Sequence, residues 1–186
     1  MLLLVGLGNP TPNSNNYRHN VGFKIVDAIN QKFGLSKQKP KFKGLLTTGT
    51  IGDKKIYAIK PLTFMNNSGI CIRELLEYFK MDAEDVIVFH DDLDVEFGKI
   101  KAKFGGSSAG HNGIASIDKF IGKDYSRVRI GIGKPENKIS VSDYVLNDFS
   151  DDEQEHLEKI TSNIIDSLSI LIDKKLDLFS STVNNN

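Results

Sequence analysis

The sequence has little cysteine and no long apolar run, and both absences limit what the protein can be. Cys71 is the single cysteine among 186 residues, so no disulfide can form within the chain. Its neighbours follow an apolar helical pattern, which favours a buried packing residue over a nucleophile. The apolar run at residues 1–5 lacks a basic flank and is too short for a signal peptide or a membrane span. We therefore expect a soluble cytoplasmic protein.

The chain also has no net charge, but its two parts differ. Residues 1–134 contain 20 Lys and Arg against 13 Asp and Glu, whereas residues 135–186 contain 4 against 11. A basic body suits a polyanionic partner, because lysine and arginine supply most of the non-specific affinity for nucleic-acid phosphates. A solvated surface with an acidic terminal helix explains the same numbers, so charge alone leaves both interpretations open.

Short β-rich segments alternate with amphipathic helical patterns along residues 1–179. Residues 2–5 and 86–89 are wholly apolar, as in central strands that are covered on both faces. A hairpin pattern over residues 45–60 adds antiparallel strands. The sequence therefore predicts one α/β domain with a twisted mixed sheet flanked by helices. Residues 180–186 are polar and terminal, and are predicted to form a disordered tail.

Four polar loops follow predicted strands, where α/β proteins commonly hold their chemistry. Their candidate site residues are, in chain order, Asn9 with His19, Asn66, Asp91, and His111 with Asn112. Each also suits an ordinary loop, because asparagines favour turns and caps and a histidine before a helix is often a packing residue. Asn20, directly after His19, is a plausible N-cap of the next helix.

Three simpler kinds of site are disfavoured by spacing. Residues 90–94 lack the ligand pattern of a defined metal motif, so a carboxylate that orients a histidine is the better interpretation, with a plain acidic loop as the alternative. The glycine- and serine-rich loop at 105–110 suits an anion but lacks the Gly-Lys-Ser/Thr ending of a Walker loop. The third glycine of a dinucleotide fingerprint is missing after residues 6–8, which disfavours a nucleotide-binding module.

Taken together, six motifs resemble those of bacterial peptidyl-tRNA hydrolases. They are GLGNP at 6–10, RHNVG at 18–22, KPLTFMNNSG at 60–69, HDDLD at 90–94, GGSSAGHNG at 105–113 and RVRIGIG at 127–133. They follow the family's order across essentially all of residues 1–150, which is far more specific than any single motif. The resemblance implies a single α/β domain that acts as a monomer, without metal or cofactor. Its expected substrate is peptidyl-tRNA, cleaved at the ester that joins the peptide to the 3′ end of the tRNA.

The resemblance also implies roles for individual residues. His19 resembles the catalytic base, and Asp91 resembles the carboxylate that orients it. Lys103 and Arg129 resemble the pair that grips a tRNA phosphate. The residues that resemble the family's substrate-binding cleft are Asn9, Ser14, Phe64, Met65, Asn66, His111 and Asn112.

The loop after Asn9 departs from the family pattern. Thr11 follows Pro10, where the family usually has glycine, and Ser14 stands at the position of a tyrosine. Tyr17 takes the place of a threonine that commonly precedes the Arg-His pair. A stacking role of the family's tyrosine is therefore not carried over to Ser14.

The chemistry of the expected substrate agrees with these residue types. An ester of a ribose hydroxyl is an activated acyl group, so one neutral imidazole that deprotonates water can suffice. Asp91 would fix the tautomer of His19, and amide groups of Asn9 or Asn66 would bind the developing oxyanion. The alternative is a non-catalytic RNA-binding protein on the same scaffold, which would have little need of the base.

Overall fold

The computed structural model describes residues 1–136 and 138–186. These residues contain one seven-stranded mixed sheet, which confirms the predicted fold class. The strands are β1 Leu2–Gly6, β2 Lys39–Lys41, β3 Gly44–Ile51, β4 Lys54–Pro61, β5 Val86–Asp92, β6 Ile100–Phe104 and β7 Ser126–Gly131. Their order across the sheet is β2-β3-β4-β1-β5-β7-β6.

Helices cover both faces of this sheet. They are α1 Val21–Lys32, α2 Ser68–Phe79, α3 Asn112–Ile121, α4 Val141–Val145, α5 Asp151–Asp166, α6 Leu168–Ile172 and α7 Leu176–Asn184. The α1, α5, α6 and α7 helices close one apolar core, and α2 and α3 close the other. Cys71 lies in the second core, where burial raises the pKa of its thiol to about 12, as expected for a packing residue.

The four central strands set the position of the candidate site. β4, β1, β5 and β7 run parallel to one another, so their carboxyl ends meet at one edge of the sheet. Every residue of β1 is buried, as its wholly apolar sequence predicted. The loops that leave these strands therefore converge at the same edge.

The prediction of a disordered C-terminal tail is wrong for residues 180–184. Residues 180–184 are not disordered but continue α7, in which Phe179 is 0% and Val183 3% exposed. Ser180 Oγ accepts the Ala102 N–H at 2.8 Å, and the Asn184 side chain bonds both backbone groups of Ile100 at 2.9 Å. The polar residues that suggested disorder thus cover the open edge of β6 in place of a further strand.

Among the described residues, no helix combines the length and the apolar character needed to cross a membrane.

Candidate active site

A cavity of about 400 Å³ opens at the carboxyl ends of the parallel strands. Eight of the residues predicted to form the site line it: Asn9, His19, Phe64, Met65, Asn66, Asp91, His111 and Asn112. They come from four separate stretches of the chain at or after strand ends, so the predicted convergence is present in the fold. Ser14, Lys103 and Arg129 are not among the lining residues.

Close packing of α1 against β1 carries His19 to the cavity. Gly6 and Gly22 face each other at this contact, where a Cβ on Gly6 would collide with the Gly22 carbonyl. The 3₁₀ turn Arg18–Asn20 precedes α1 and packs against β5. The glycines of two sequence motifs are therefore needed to bring the His19 turn to the end of the strand that carries Asp91.

His19 and Asp91 form a buried hydrogen-bonded pair. His19 Nδ1 lies 3.0 and 2.8 Å from the two carboxylate oxygens of Asp91, and the side chains are 11% and 2% exposed. An ionised carboxylate can only accept, so the proton of a neutral His19 is on Nδ1. Nε2 is then an unprotonated nitrogen in the cavity wall, as a general base requires.

His111 occupies the other side of the same carboxylate. Its Nε2 lies 2.8 Å from Asp91 Oδ1, while its Nδ1 accepts the backbone N–H groups of Gly113 and Ile114 at 3.1 and 3.3 Å. Because those amides can only donate, His111 is held in the Nε2–H tautomer. The sequence placed His111 in the cleft but gave no sign that it caps α3 and donates to Asp91.

Asp91 is consequently held as an anion between two imidazoles. Burial alone would raise its pKa, but the charges and hydrogen bonds of His19 and His111 hold the pKa well below its usual range. A carboxylate that stays ionised keeps His19 in the tautomer that leaves Nε2 bare.

His90 is a buried histidine to which the sequence analysis gave no role. It is 4% exposed, its Nδ1 donates to the Asp91 carbonyl at 2.8 Å, and its ring lies 5.1 Å from that of His111. Burial lowers the pKa of His90 to about 3, so it is neutral at cellular pH. It therefore packs beside His111, outside the cavity lining, without adding charge.

One potential metal-ligating atom each from His19, Asp91 and His111 lies within 4.8 Å of the other two, a spacing that would also suit a metal ion. The hydrogen bonds argue for a proton-transfer site. A metal on His111 Nε2 would require its proton to move to Nδ1, which already accepts two backbone amides. The capping of α3 by His111 thus opposes metal binding at these atoms.

Asn9 is oriented by its neighbours so that one end of its amide remains available. Its Oδ1 accepts the Met65 N–H at 2.8 Å, which leaves Nδ2 as the group that can donate to a substrate. Asn20 bonds both backbone groups of Asn9 at 2.9 Å. Asn20 stands at the N-cap position but makes no side-chain capping bond, so its role differs from the predicted one.

Ser14 lies behind Asn9 and does not contact the cavity. It is 2% exposed, and its hydroxyl lies within hydrogen-bonding distance of the carbonyls of Asn9 and Thr11, at 3.1 and 2.6 Å. It also accepts from Asn20 Nδ2 at 3.2 Å. Ser14 therefore supports the Asn9 loop from behind, and its contact with the substrate stays a prediction.

Phe64 stands at the cavity mouth in a strained conformation. Its φ of 63° and ψ of 159° lie in a region that is nearly restricted to glycine, and its side chain is exposed. The Asn67 N–H donates to its carbonyl at 3.0 Å, and the next amide is held by Asn9. These bonds maintain the strained turn and keep the Phe64 ring at the opening.

Asn66 and Asn112 contribute exposed amides to the cavity wall. Asn66 lies in the 3₁₀ turn Met65–Asn67, and Asn112 is the first residue of α3. Neither side chain hydrogen-bonds to another described residue, so both can bind a ligand. Together with Asn9, they place three uncharged hydrogen-bonding groups around the His19 base.

Lys103 and Arg129 lie on neighbouring strands outside the cavity. Arg129 Nε donates to Asp92 Oδ2 at 2.7 Å, and Asp92 lines the cavity. Burial and the positive charges of Arg129 and Arg127 lower the pKa of Lys103. Crowded cations of this kind favour an anion as their partner.

Arg18 is a further residue that the sequence analysis left without a role. Its guanidinium lies 4.2 Å from the Tyr144 ring and 3.0 Å from the Glu153 carboxylate. Tyr144 belongs to α4, whose Val141 and Val145 form an apolar wall of the cavity. Arg18 therefore fastens this wall to the turn that contains His19.

The fold and the site define an α/β protein with a His–Asp pair arranged for general-base chemistry. A family model described as peptidyl-tRNA hydrolase matches residues 3–186. The chain belongs to the peptidyl-tRNA hydrolase family, which confirms the resemblance found in the sequence.

Individual relatives agree with this membership. The chain is 82% identical to a peptidyl-tRNA hydrolase from Pelagibacter ubique (strain HTCC1062) over 185 residues, which cover 100% of both chains. It is 43% identical to that of Gluconobacter oxydans (strain 621H), covering 98% of this chain and 97% of the relative. The crystal structure of peptidyl-tRNA hydrolase from Acinetobacter baumannii superimposes with a TM-score of 0.91 at 33% identity, covering 99% of this chain and 94% of that chain.

Proposed function

We propose that the protein hydrolyses the ester that joins a peptide to the 3′-terminal ribose of tRNA. The observation that carries the proposal is the His19–Asp91 pair, with Nδ1 of the imidazole bonded to the carboxylate. His19 Nε2 would remove a proton from water as the water attacks the ester carbonyl. The imidazolium would then be stabilised by Asp91 and would return the proton to the ribose oxygen.

The asparagines would bind the reacting groups. Nδ2 of Asn9 is a donor in a fixed position because its Oδ1 is engaged by Met65. It is suited to the oxyanion of the tetrahedral intermediate, and it introduces no charge beside His19. Asn66 and Asn112 would hydrogen-bond the peptide, whose blocked amino group distinguishes the substrate from unblocked aminoacyl-tRNA.

Lys103 and Arg129 would hold a phosphate of the tRNA backbone. They are cations on adjacent strands outside the cavity, which suits contact with the RNA backbone rather than with its bases. In this proposal the enzyme works as a cytoplasmic monomer without metal or cofactor.

Release of N-acetylated amino acid from acetyl-aminoacyl-tRNA tests the proposal, with unblocked aminoacyl-tRNA as the comparison and excess chelator present. We expect cleavage of the blocked substrate that is selective and resistant to the chelator. Binding of the blocked tRNA without cleavage would replace the proposal with the RNA-binding alternative. Cleavage abolished by the chelator would overturn the metal-free mechanism.

A further inference from the structure

Arg127 is a buried cation that lies beside the proposed phosphate grip. It is 1% exposed, although it lies two residues before Arg129 on the same face of β7. Its Nη1 donates to the Ser107 carbonyl at 2.8 Å, and its Nη2 donates to Asp118 Oδ1 at 2.9 Å. Because it is buried and both terminal nitrogens are engaged, Arg127 is not placed to bind a phosphate itself.

The Ser107 bond fixes the glycine-rich loop. Residues 105–110 lead from the strand of Lys103 to His111, and the loop includes glycines at φ values of 67°, 105° and 79°. Glycine-rich backbone has little conformational preference of its own, so its shape depends on bonds from outside. Two other bonds secure its ends, from the Gly105 N–H to the Tyr125 carbonyl and from the His111 N–H to the Ser108 carbonyl, each 2.9 Å.

The Asp118 bond fixes α3. Asp118 lies on this helix, and both the N-cap residue His111 and the first helical residue Asn112 line the cavity. Tyr125 strengthens the bond, because its hydroxyl donates to Asp118 Oδ1 at 2.8 Å and its ring lies 4.7 Å from the Arg127 guanidinium. One planar guanidinium thus joins the loop, the helix and the strand of Arg129.

We propose that Arg127 is a positioning residue that sets His111 and Asn112 at a fixed distance from Lys103 and Arg129. This inference rests on the proposed function. In the reaction, a tRNA phosphate bound by Lys103 and Arg129 would place the ester at the catalytic groups only if the distance from these cations to the cavity stays fixed. Loss of Arg127 would therefore impair turnover itself, whereas loss of Arg129 would impair tRNA binding.

The test compares Arg127→Met with Arg129→Met on two substrates, acetyl-aminoacyl-tRNA and a short acetyl-aminoacyl fragment of the 3′ end that lacks the gripped phosphate. We expect Arg127→Met to lower kcat on both substrates by roughly 10- to 100-fold. Arg129→Met should mainly raise KM for the full tRNA, with a smaller effect on the fragment. Arg127→Lys should have a kcat between those of Arg127→Met and the wild type, because the lysine ammonium keeps the charge but cannot donate to Ser107 and Asp118 with two nitrogens at once.

Two further variants separate positioning from folding. Arg127→Met leaves the Asp118 carboxylate without its cationic partner, which should lower the thermal stability. The double variant Arg127→Met with Asp118→Asn removes that unpaired charge, so it should restore the thermal stability without restoring kcat. Tyr125→Phe deletes one bond to Asp118 and keeps the guanidinium fork, so its kcat should stay within about twofold of the wild type. NMR of ¹⁵N-histidine-labelled protein would show a changed His111 signal in Arg127→Met.

Each contrary result has its own meaning. A rise in KM for the full tRNA alone in Arg127→Met would make Arg127 a phosphate ligand and overturn the inference. Full recovery of kcat together with stability in the double variant would reduce Arg127 to a folding role. Wild-type protein that cleaves neither substrate would contradict the proposed function instead, before the variants are compared.

Discussion

The two ends of the proposed substrate site are built differently. Around Asp91, the polar contacts are buried or partly buried, and hydrogen bonds of 2.8–3.3 Å hold two histidines in single tautomers. At Lys103 and Arg129, the cations lie on neighbouring strands outside the cavity, and Asp92 accepts a hydrogen bond from Arg129 at 2.7 Å. Proton transfer requires fixed geometry, whereas capture of an RNA phosphate benefits from partly exposed charge.

This contrast predicts that variants at the two ends will fail in different kinetic parameters. Changes around Asp91 should act on kcat, and changes at the cations should act on KM and on its salt dependence.

His19→Ala should remove the base and lower kcat by about 1,000-fold or more, within the range that general-base catalysis contributes. Binding of peptidyl-tRNA should remain, because the cations are unchanged. Single-turnover cleavage and a filter-binding titration measure the two properties separately. Full activity of this variant would move the base to His111.

Asp91→Asn should lower kcat by about 100-fold or more. The single amide oxygen of the asparagine can accept the N–H of one imidazole but not of both as the two carboxylate oxygens do. Its NH₂ group then faces the other imidazole, and a ring nitrogen of that imidazole has to accept a hydrogen bond. His111 is held by backbone amides, so His19 should take the wrong tautomer and carry its proton on Nε2. ¹⁵N NMR of the His19 ring checks this exchange, and an unchanged Nδ1–H tautomer would contradict it.

Lys103→Ala and Arg129→Ala should each raise KM for peptidyl-tRNA several-fold while kcat changes little. Loss of one phosphate contact should also reduce the slope of log affinity against log salt by about 1. Short substrates without that phosphate should be affected less. Equal losses on the long and short substrates would show that these cations do not grip the tRNA.

The stability of the site should depend on pH through Asp91. Its pKa in the folded protein is below the usual value of 3.8, so its ionised form stabilises the fold above that pH. This contribution should be lost as pH falls from about 4 towards the lower folded pKa. Urea unfolding of the wild type and of Asp91→Asn should give a difference that shrinks below pH 4, and a difference that grows there would reverse the sign.

Ser14→Ala should have the smallest effect on activity. The hydroxyl supports the Asn9 loop from behind, so its loss should reduce the free energy of unfolding by about 1 kcal/mol. We expect kcat to stay within a few-fold of the wild type. A large rise in KM with unchanged stability would return Ser14 to the substrate-binding residues.

The sequence by itself determined the α/β class and most of the site. Asn9 and Asp91 lie at or just after the carboxyl ends of parallel strands, which meet at one edge of the sheet, so their order along the chain was enough to predict that they meet. His111 follows β6, which runs antiparallel to β7, so its arrival at the same edge depends on the path of the glycine-rich loop and not on strand order. The six motifs then fixed the family.

Only the tertiary structure decided which atoms are engaged and which remain available. The tautomer of His111, the available end of the Asn9 amide and the burial of Ser14 depend on hydrogen bonds to backbone groups in other loops. The order of α7 likewise depends on an edge strand more than 70 residues away in sequence. Residue type and local periodicity do not specify such long-range bonds, because the same serine or asparagine suits both a solvated loop and a buried partner.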